Sequence, residues 1–516
     1  MPGRGLRAAV AVAVAAACVR GIAAATGLHT GQPVGAADNS DGFRLYRGVG
    51  LVPNTADGCS DWRGGVVVHF VRAAPGHDPI PSAALNILRA TSRGYSERWS
   101  LARLGWAYAL LAGGVAGAAA WAVSAAELAS PLVLLPVLAP LANRDFARFF
   151  VSTYSEPAGL VGAVALLSGT AALTLTRPGQ RAELAVGLAL TGGGGLLAVT
   201  SKNAFAPLLL VAATVCAATR TRSGQATAAL IVAAAVGPVV TAQRWQNRNY
   251  HAVNVHNLVF TLLIPEFGAG AAVAVGLPAA AAAYSGHGSS DARGVPLDPD
   301  LIPGWHSAIG TNPGRARNAA HRHLARHPGT LARVVGVALQ ATLGSDLDYL
   351  HEHPLPPGVD RPRTVTPSGS MGHDQDDLHA WLDGLPAPWR PSLLAASGIT
   401  AGLTAILWPP RSDLARTLAL VAGAGAAGAT GVAALAVAGD GYYEVAKHVW
   451  LSAYLLDVTA GALAGAAAAW VIQAWSDRRS AGLDATRWRN AATARSLTRH
   501  LSPEGAKRLP LPRLVR

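Results

Sequence analysis

Apolar residues arrive along this chain in blocks. They cover residues 8–26, 101–123, 130–143, 158–176, 183–200, 205–219, 226–242, 392–409, 414–438 and 447–474, and many are rich in Ala, Gly, Leu and Val. A helix of about 20 such residues crosses about 30 Å of hydrocarbon, so the pattern predicts an all-α polytopic membrane protein with about ten transmembrane helices. Two blocks are less regular. Residues 130–143 are short and contain Pro136 and Pro140, which predicts a tilted, broken or re-entrant segment. Residues 8–26 follow Arg4 and Arg7 and contain Arg20, so the residues alone allow a signal peptide or a retained first helix. A retained helix gives the later blocks one consistent charge topology.

With the N-terminus in the cytoplasm, the basic connections TRPGQRAE, ATRTRSGQ and WPPRSDLAR and the Arg-rich tail all fall inside. The expected organisation is a first helix over 1–26 and a first extracytoplasmic loop over 27–100. A bundle follows over 101–242, with its own outer loop at 143–157. A large outer region over 243–391, C-terminal helices over 392–474 and a basic cytoplasmic tail over 475–516 complete it. Both termini are then cytoplasmic and the protein sits in the plasma membrane. TLARVVGVALQATLGSDL, inside the third outer region, is too short for a span and predicts an interfacial helix.

Composition changes little in this picture. Half the residues are hydrophobic (51%) and 14% are charged, below the roughly 25% usual in soluble domains. The net charge of +13 suggests nucleic acid in a soluble protein. Here the Arg-rich loops and tail account for it by the positive-inside bias, and no nucleic-acid partner is expected. Cys18 and Cys216 lie in apolar blocks and Cys59 stands alone in a polar loop, so neither a disulfide framework nor a Cys-based metal site is implied. TGGGGLLAV lacks the Lys-Ser/Thr of a phosphate-binding loop and reads as close helix packing.

Candidate chemistry gathers at predicted outer helix mouths. Asp38 and Asp41 follow the first block in GAADNSDGFRLYRGVGLVP. Partial desolvation there raises a carboxylate's pKa toward proton acceptance, whereas the competing reading is an Asn/Ser/Gly turn that caps a helix over FRLYRGVGL. Lys202 lies between two apolar blocks, where a lysine snorkels or takes an anionic partner. Asp145, Arg148, Tyr154 and Glu156 share the 143–157 loop with Phe149 and Phe150, which suit either sugar stacking or the headgroup belt. In GDGYYEVAKHVW, helical spacing predicts Asp440 beside Glu444, and Glu444 beside Lys447 and His448. His323 and His327 stand four apart, half a metal site on a helix, but solvated loop positions account for this His-rich region and no metal ligand is assigned.

The segments DNSDGFRLYRGVGLVP, RDFARFFVSTYSEPAGL, TSKNAFAPL, NLVFTLLIPEF and GDGYYEVAKH resemble actinobacterial glycan-biosynthesis hexose transferases of the GT-C class of integral membrane glycosyltransferases. The resemblance spans nearly the whole chain and implies a GT-C-like bundle with extracytoplasmic loop helices. It further implies transfer of a sugar, a hexose by family, from a polyprenyl-phosphate donor to a glycan or lipid acceptor of the cell envelope, with inversion. Asp38, with Asp41 second, would then receive the acceptor proton. Arg44, Lys202, Lys447 and His448 would hold the donor phosphate, and Asp145, Arg148, Tyr154, Glu156, Asp440 and Glu444 would line the substrate site. Some GT-C enzymes use a divalent cation and others none, and the sequence leaves this open.

Two other classes compete: a transporter or flippase of lipid-linked glycan, and a non-catalytic organiser of envelope assembly. A transporter needs charges along the span interiors and usually internal repeats. Here the acids cluster at helix mouths and no repeat is found.

Overall fold

The computed structural model describes residues 3–500, apart from 32, 37–41, 56–65, 75, 77, 96, 128–129, 291–295, 343–364 and 367–388, with 480–500 as backbone alone. The main helices are α1 (Arg4–Thr26), α2 (Ala83–Ser92), α3 (Leu101–Val123), α4 (Glu156–Leu175), α5 (Arg181–Ser201) and α6 (Ala206–Ala218). They continue with α7 (Arg222–Asn257), α8 (Pro313–Ala325), α9 (Pro328–Gln340), α10 (Arg390–Leu407), α11 (Asp413–Asp440) and α12 (Trp450–His500).

Seven helices among the described residues are long and apolar enough to cross a membrane: α1, α3, α4, α5, α7, α11 and α12. Ser130–Ala142 and Asn203–Ala218 are shorter apolar stretches. The 18-residue α10 runs antiparallel to α11, with Gly402 against Gly423 and Gly398 against Ala426. The chain is therefore a multi-span membrane protein, with seven of the ten expected spans met by long apolar helices among the described residues. Three blocks produce helices that are too short or too polar to stand with the rest.

Glycine sets how closely the central pair approaches. A Cβ on Gly194 of α5 would lie 2.5 Å from the Gly162 carbonyl oxygen of α4, and one on Gly162 would lie 2.7 Å from the Gly194 carbonyl oxygen. Only hydrogen fits there, so the TGGGG run is helix-packing surface. Lipid offers no hydrophobic gain for associating helices, and such close backbone contact supplies dispersion in its place.

The two ends of the bundle differ. At one end Arg7 donates to the Trp121 carbonyl and to Glu183 at 2.8 Å, with its guanidinium 4.2 Å from the Trp121 ring centre, tying α1, α3 and α5 together. At the other, α1 ends, α3 and α4 begin, α5 ends, and α11 closes before α12 begins. The described parts of 27–100, 143–157 and 243–391 gather at this second end.

The all-helical expectation needs one amendment, because the first of these regions builds a small sheet. Strands β1 (Leu51–Pro53), β3 (His69–Arg72) and β4 (Arg98–Ser100) pair antiparallel in the order β1-β3-β4, and β2 (Val66–Val67) pairs with β5 (Val365–Thr366). Phe70 packs edge-on to Trp99, with centroids 5.5 Å apart, and against Tyr46 at 5.3 Å. Short aromatic strands form here because, beyond the hydrocarbon, backbone groups can pair across strands rather than only within a helix. The predicted helix over FRLYRGVGL is shorter than expected: it covers Phe43–Tyr46 and a 3-10 turn before β1 takes over.

Two further boundaries shift. Helix α7 does not stop near 242 but runs unbroken to Asn257, about 54 Å at 1.5 Å per residue, so its polar last third projects past the bundle. Helix α12 likewise continues through residues first read as tail. The segment read as interfacial forms the 13-residue α9, packed on α11.

The Arg7–Glu183 pair yields a stability prediction. Arg7→Met leaves the Glu183 carboxylate buried without its cation and lowers unfolding free energy by ~3–5 kcal/mol, and adding Glu183→Leu restores most of it. Denaturant unfolding in detergent micelles reads both values.

Candidate functional site

The second end brings together charges from four separated segments. Glu156 opens α4 and is 6% exposed, because Pro157 at the next position starts the helix against the wall of the bundle. Its Oε1 lies 2.6 Å from Lys202 Nζ, and its Oε2 accepts from the Ser155 hydroxyl at 3.1 Å. Lys202 stands just past the end of α5 in extended backbone, so the lysine expected to snorkel has found an anionic partner. The side chain keeps 23% exposure, leaving its ammonium within reach of a further ligand.

Loop 143–157 is built differently from its expected form. Asn143 caps the turn by accepting from Asp145 N at 3.0 Å. Asp145 and Arg148 are buried, at 2% and 1% exposure, and their side chains approach to 3.9 Å. Phe149 lies 4.1 Å from Trp450, and Phe150 stacks on Tyr108 at 5.8 Å. The expectation that these two rings face sugar or headgroups is therefore corrected: both are core. They face inward because the short turns at 144–150 roll the segment under α12, where Trp450 donates to the Asp145 carbonyl at 3.4 Å. Tyr154 is buried as well, 6.0 Å from the Phe149 ring.

The GDGYYEVAKH segment is a second correction. Helix α11 stops at Asp440, Gly441 takes φ +64°, and Glu444 takes φ +44°. The helical spacing that would pair Asp440 with Glu444 is broken, and the charges sort into two pairs instead. His448 Nε2 lies 3.1 Å from Asp440 Oδ2, and Lys447 Nζ lies 3.1 Å from Glu444 Oε2. Asn257 at the end of α7 donates to Asp440 Oδ1 at 2.9 Å and accepts from the Ser289 amide at 2.8 Å. The two tyrosines of the turn fasten it to the large polar region: Tyr442 donates to Glu266 at 2.8 Å, and Tyr443 meets Ser290. Burial first, and then the Glu266 carboxylate, raises the Tyr442 phenol above its ordinary pKa. Burial likewise raises Tyr443, so both stay protonated near neutrality.

Asp38 and Asp41 lie outside the described residues. Their flanks do not. Ala36 N donates to the Arg148 and Val151 carbonyls, both at 3.2 Å, and Gly42 begins the Phe43–Tyr46 turn. Arg44 of that turn stacks 4.3 Å from the Tyr250 ring of α7. Of the expected site residues, Lys202 and Glu156 are in contact, as are Lys447 with Glu444 and His448 with Asp440, while Arg44 is held on α7.

Among the described residues no three His, Cys, Asp or Glu side chains converge as a metal set. His323 and His327 both pack on Phe267, at 4.6 and 4.9 Å, and burial followed by His327 and Arg326 holds His323 below the ordinary histidine pKa.

Two features were not assigned from the sequence. Trp305 donates to His256 Nδ1 at 3.0 Å, so Nε2 carries the proton and donates to the His287 carbonyl at 3.2 Å, locking the projecting end of α7. An apolar cavity of about 530 Å³ lies between α1 (Val10, Val14, Cys18) and the 130–142 segment (Leu135, Leu138, Ala142). At the Ala142 end, Arg144 donates to the Ala25 carbonyl at 3.4 Å. A His or Trp partner is unreadable without the fold, but the prolines of 130–142 did mark a segment unable to pack as a full helix.

Residues 6–261 match the family model described as the YfdI N-terminal transmembrane domain. This half of the chain, from α1 through the whole of α7, is thus similar to a transmembrane domain of that family. No curated protein and no solved structure matches the chain.

The strained turn gives a test of local energetics. Gly441→Ala destabilises by ~1–3 kcal/mol, because a Cβ there would sit 2.5 Å from Thr261 Oγ1 in left-handed backbone. Glu444→Gly relieves a left-handed non-glycine residue worth ~1–2 kcal/mol and leaves stability unchanged or higher despite the lost Lys447 pair. Thermal unfolding of the two purified variants separates these outcomes.

Proposed function

We propose that the protein is a membrane glycosyltransferase. It moves a sugar, a hexose by family resemblance, from a polyprenyl-phosphate donor to a cell-envelope acceptor at the extracytoplasmic face. The observation that carries this reading is the meeting of two lysine–carboxylate pairs, Lys202 with Glu156 and Lys447 with Glu444, at one bundle end. The YfdI-type domain match supports it, since YfdI is a GT-C-like glycosyltransferase-related membrane protein.

In this reading the leaving group is the polyprenyl phosphate, whose negative charge grows as the glycosidic bond breaks. Fixed ammonium donors stabilise the doubly charged phosphate monoester that leaves more than the singly charged phosphodiester of the donor, which lowers the barrier. Lys202 and Lys447 serve this role because each is already held at a mouth by a carboxylate, so a phosphate oxygen meets an oriented cation. Asp38, with Asp41 as second candidate, takes the proton of the acceptor hydroxyl as it attacks the anomeric carbon from the opposite face. The apolar cavity along α1 suits a chain of isoprene units running beside that span, with its head toward Arg144.

The test uses purified protein with a panel of polyprenyl-phosphate sugars and measures free carrier phosphate and the new glycosidic bond. Asp38→Asn lowers turnover by about 100-fold or more with unchanged folding, on the scale of a lost general base. Lys202→Met lowers it by about 10–100-fold. Substrate movement across vesicles with no new bond, or full turnover in both Asp38→Asn and Asp41→Asn, contradicts the reading.

A further inference from the structure

The projecting third of α7 carries an ordered polar face that the proposed chemistry does not use. Gln243, Asn247, Tyr250, His251 and Asn254 recur at helical spacing on one side, each half-buried, with no carboxylate among them. The face begins at the site: Asn203, next to Lys202, donates to Gln243 Oε1 at 3.5 Å. Gln243 Nε2 then donates to Asn247 Oδ1 at 2.9 Å, and Arg317 of α8 donates to the same oxygen at 3.4 Å. Arg44 stacks on Tyr250 at 4.3 Å and forms the opposite border.

This wiring fixes Asn247 in one orientation. Both lone-pair directions of its carbonyl oxygen are in use, and among the described residues its amide nitrogen has no partner. Two N–H donors are thus held outward beside an aromatic ring and two guanidinium planes. Repeating hydroxyl oxygens accept from such donors, and sugar C–H faces lie on such rings. An acyl chain finds no apolar lining here. A phosphate-rich polymer would be matched by arginine alone and would need neither the amides nor their ordering.

We infer that this face is a track for an oligosaccharide acceptor, which runs about 15–20 Å along α7 from the Lys202 mouth. The inference rests on the transferase reading and specifies its acceptor as an extended glycan chain rather than a lipid headgroup. A track of this length spans about three to four sugar rings, so the enzyme extends an existing chain.

The experiment titrates full-length protein in nanodiscs with manno-, gluco- and galacto-hexasaccharides and with the matching monosaccharides, following the heat of binding by calorimetry. At least one hexasaccharide binds about tenfold or more tighter than its monosaccharide, and Asn247→Asp, which exchanges the donors for an acceptor at equal size, loses about tenfold. Tyr250→Leu loses a similar factor. Carrier release from polyprenyl-phosphate sugar is measured on the same samples. Release without hexasaccharide binding, or binding that Asn247→Asp leaves unchanged, overturns the track while the transferase reading stands. Binding that behaves as expected without any release supports the track and overturns the transferase reading. Preference for inorganic polyphosphate over every hexasaccharide, insensitive to Asn247→Asp, also overturns the track.

Discussion

Hydrocarbon cannot solvate charge, and this protein is arranged around that constraint. Its buried or half-buried ionic groups stand at helix mouths and each described pair is closed by a partner: Arg7 with Glu183 at one end, Lys202 with Glu156 at the other. The second pair matters most for function. It joins the start of α4 to the end of α5, two helices that glycine lets approach to backbone contact, so the ammonium is positioned by the closest packing in the bundle. A cation held this way costs little reorganisation when an anion arrives, which is the property a phosphate site needs.

The polar regions then act as a collar. The described part of 27–100, the buried 143–157 loop and the 441–448 turn each lock onto a helix mouth through hydrogen bonds of Ser, Trp or Asn side chains. Trp450 reaches the Asp145 carbonyl, Asn257 reaches Asp440, and Ser82 reaches the Ser201 carbonyl at 2.8 Å. Among the described residues, two non-glycine positions take left-handed backbone, Arg220 and Glu444, and the second lies with Gly441 where the chain must reverse between α11 and α12 while presenting Lys447 and His448. Strain held at a turn that also gathers charge is consistent with a working site.

Much of the bundle was legible in the sequence because a span is defined by composition over about 20 residues, a local property. Lys202 and Glu156 were legible for the same reason: a lone charge beside an apolar run is expensive and must find a use. The pairing itself was not legible, since residues 46 apart in sequence meet only through the α4–α5 hairpin. Helical spacing misassigned Asp440 and Glu444 because it assumes a continuous helix across Gly441. It misjudged Phe149 and Phe150 because aromatic residues near a membrane surface look alike whether they face lipid or pack under another helix. The small sheet was missed for a plainer reason: strands of two to four residues leave almost no periodic signal.

The account depends on one geographical claim, that the end holding Lys202 and Glu156 faces the exterior. The most direct measurement places single cysteines at positions 38, 203 and 443 in a variant lacking Cys18, Cys59 and Cys216, and treats intact cells with a membrane-impermeant maleimide. Labelling of all three without permeabilisation, with a cysteine at position 179 in the α4–α5 connection silent until cells are opened, is the predicted result. Labelling at 179 in intact cells, with 38, 203 and 443 protected until lysis, would place the charged collar in the cytosol and contradict the account.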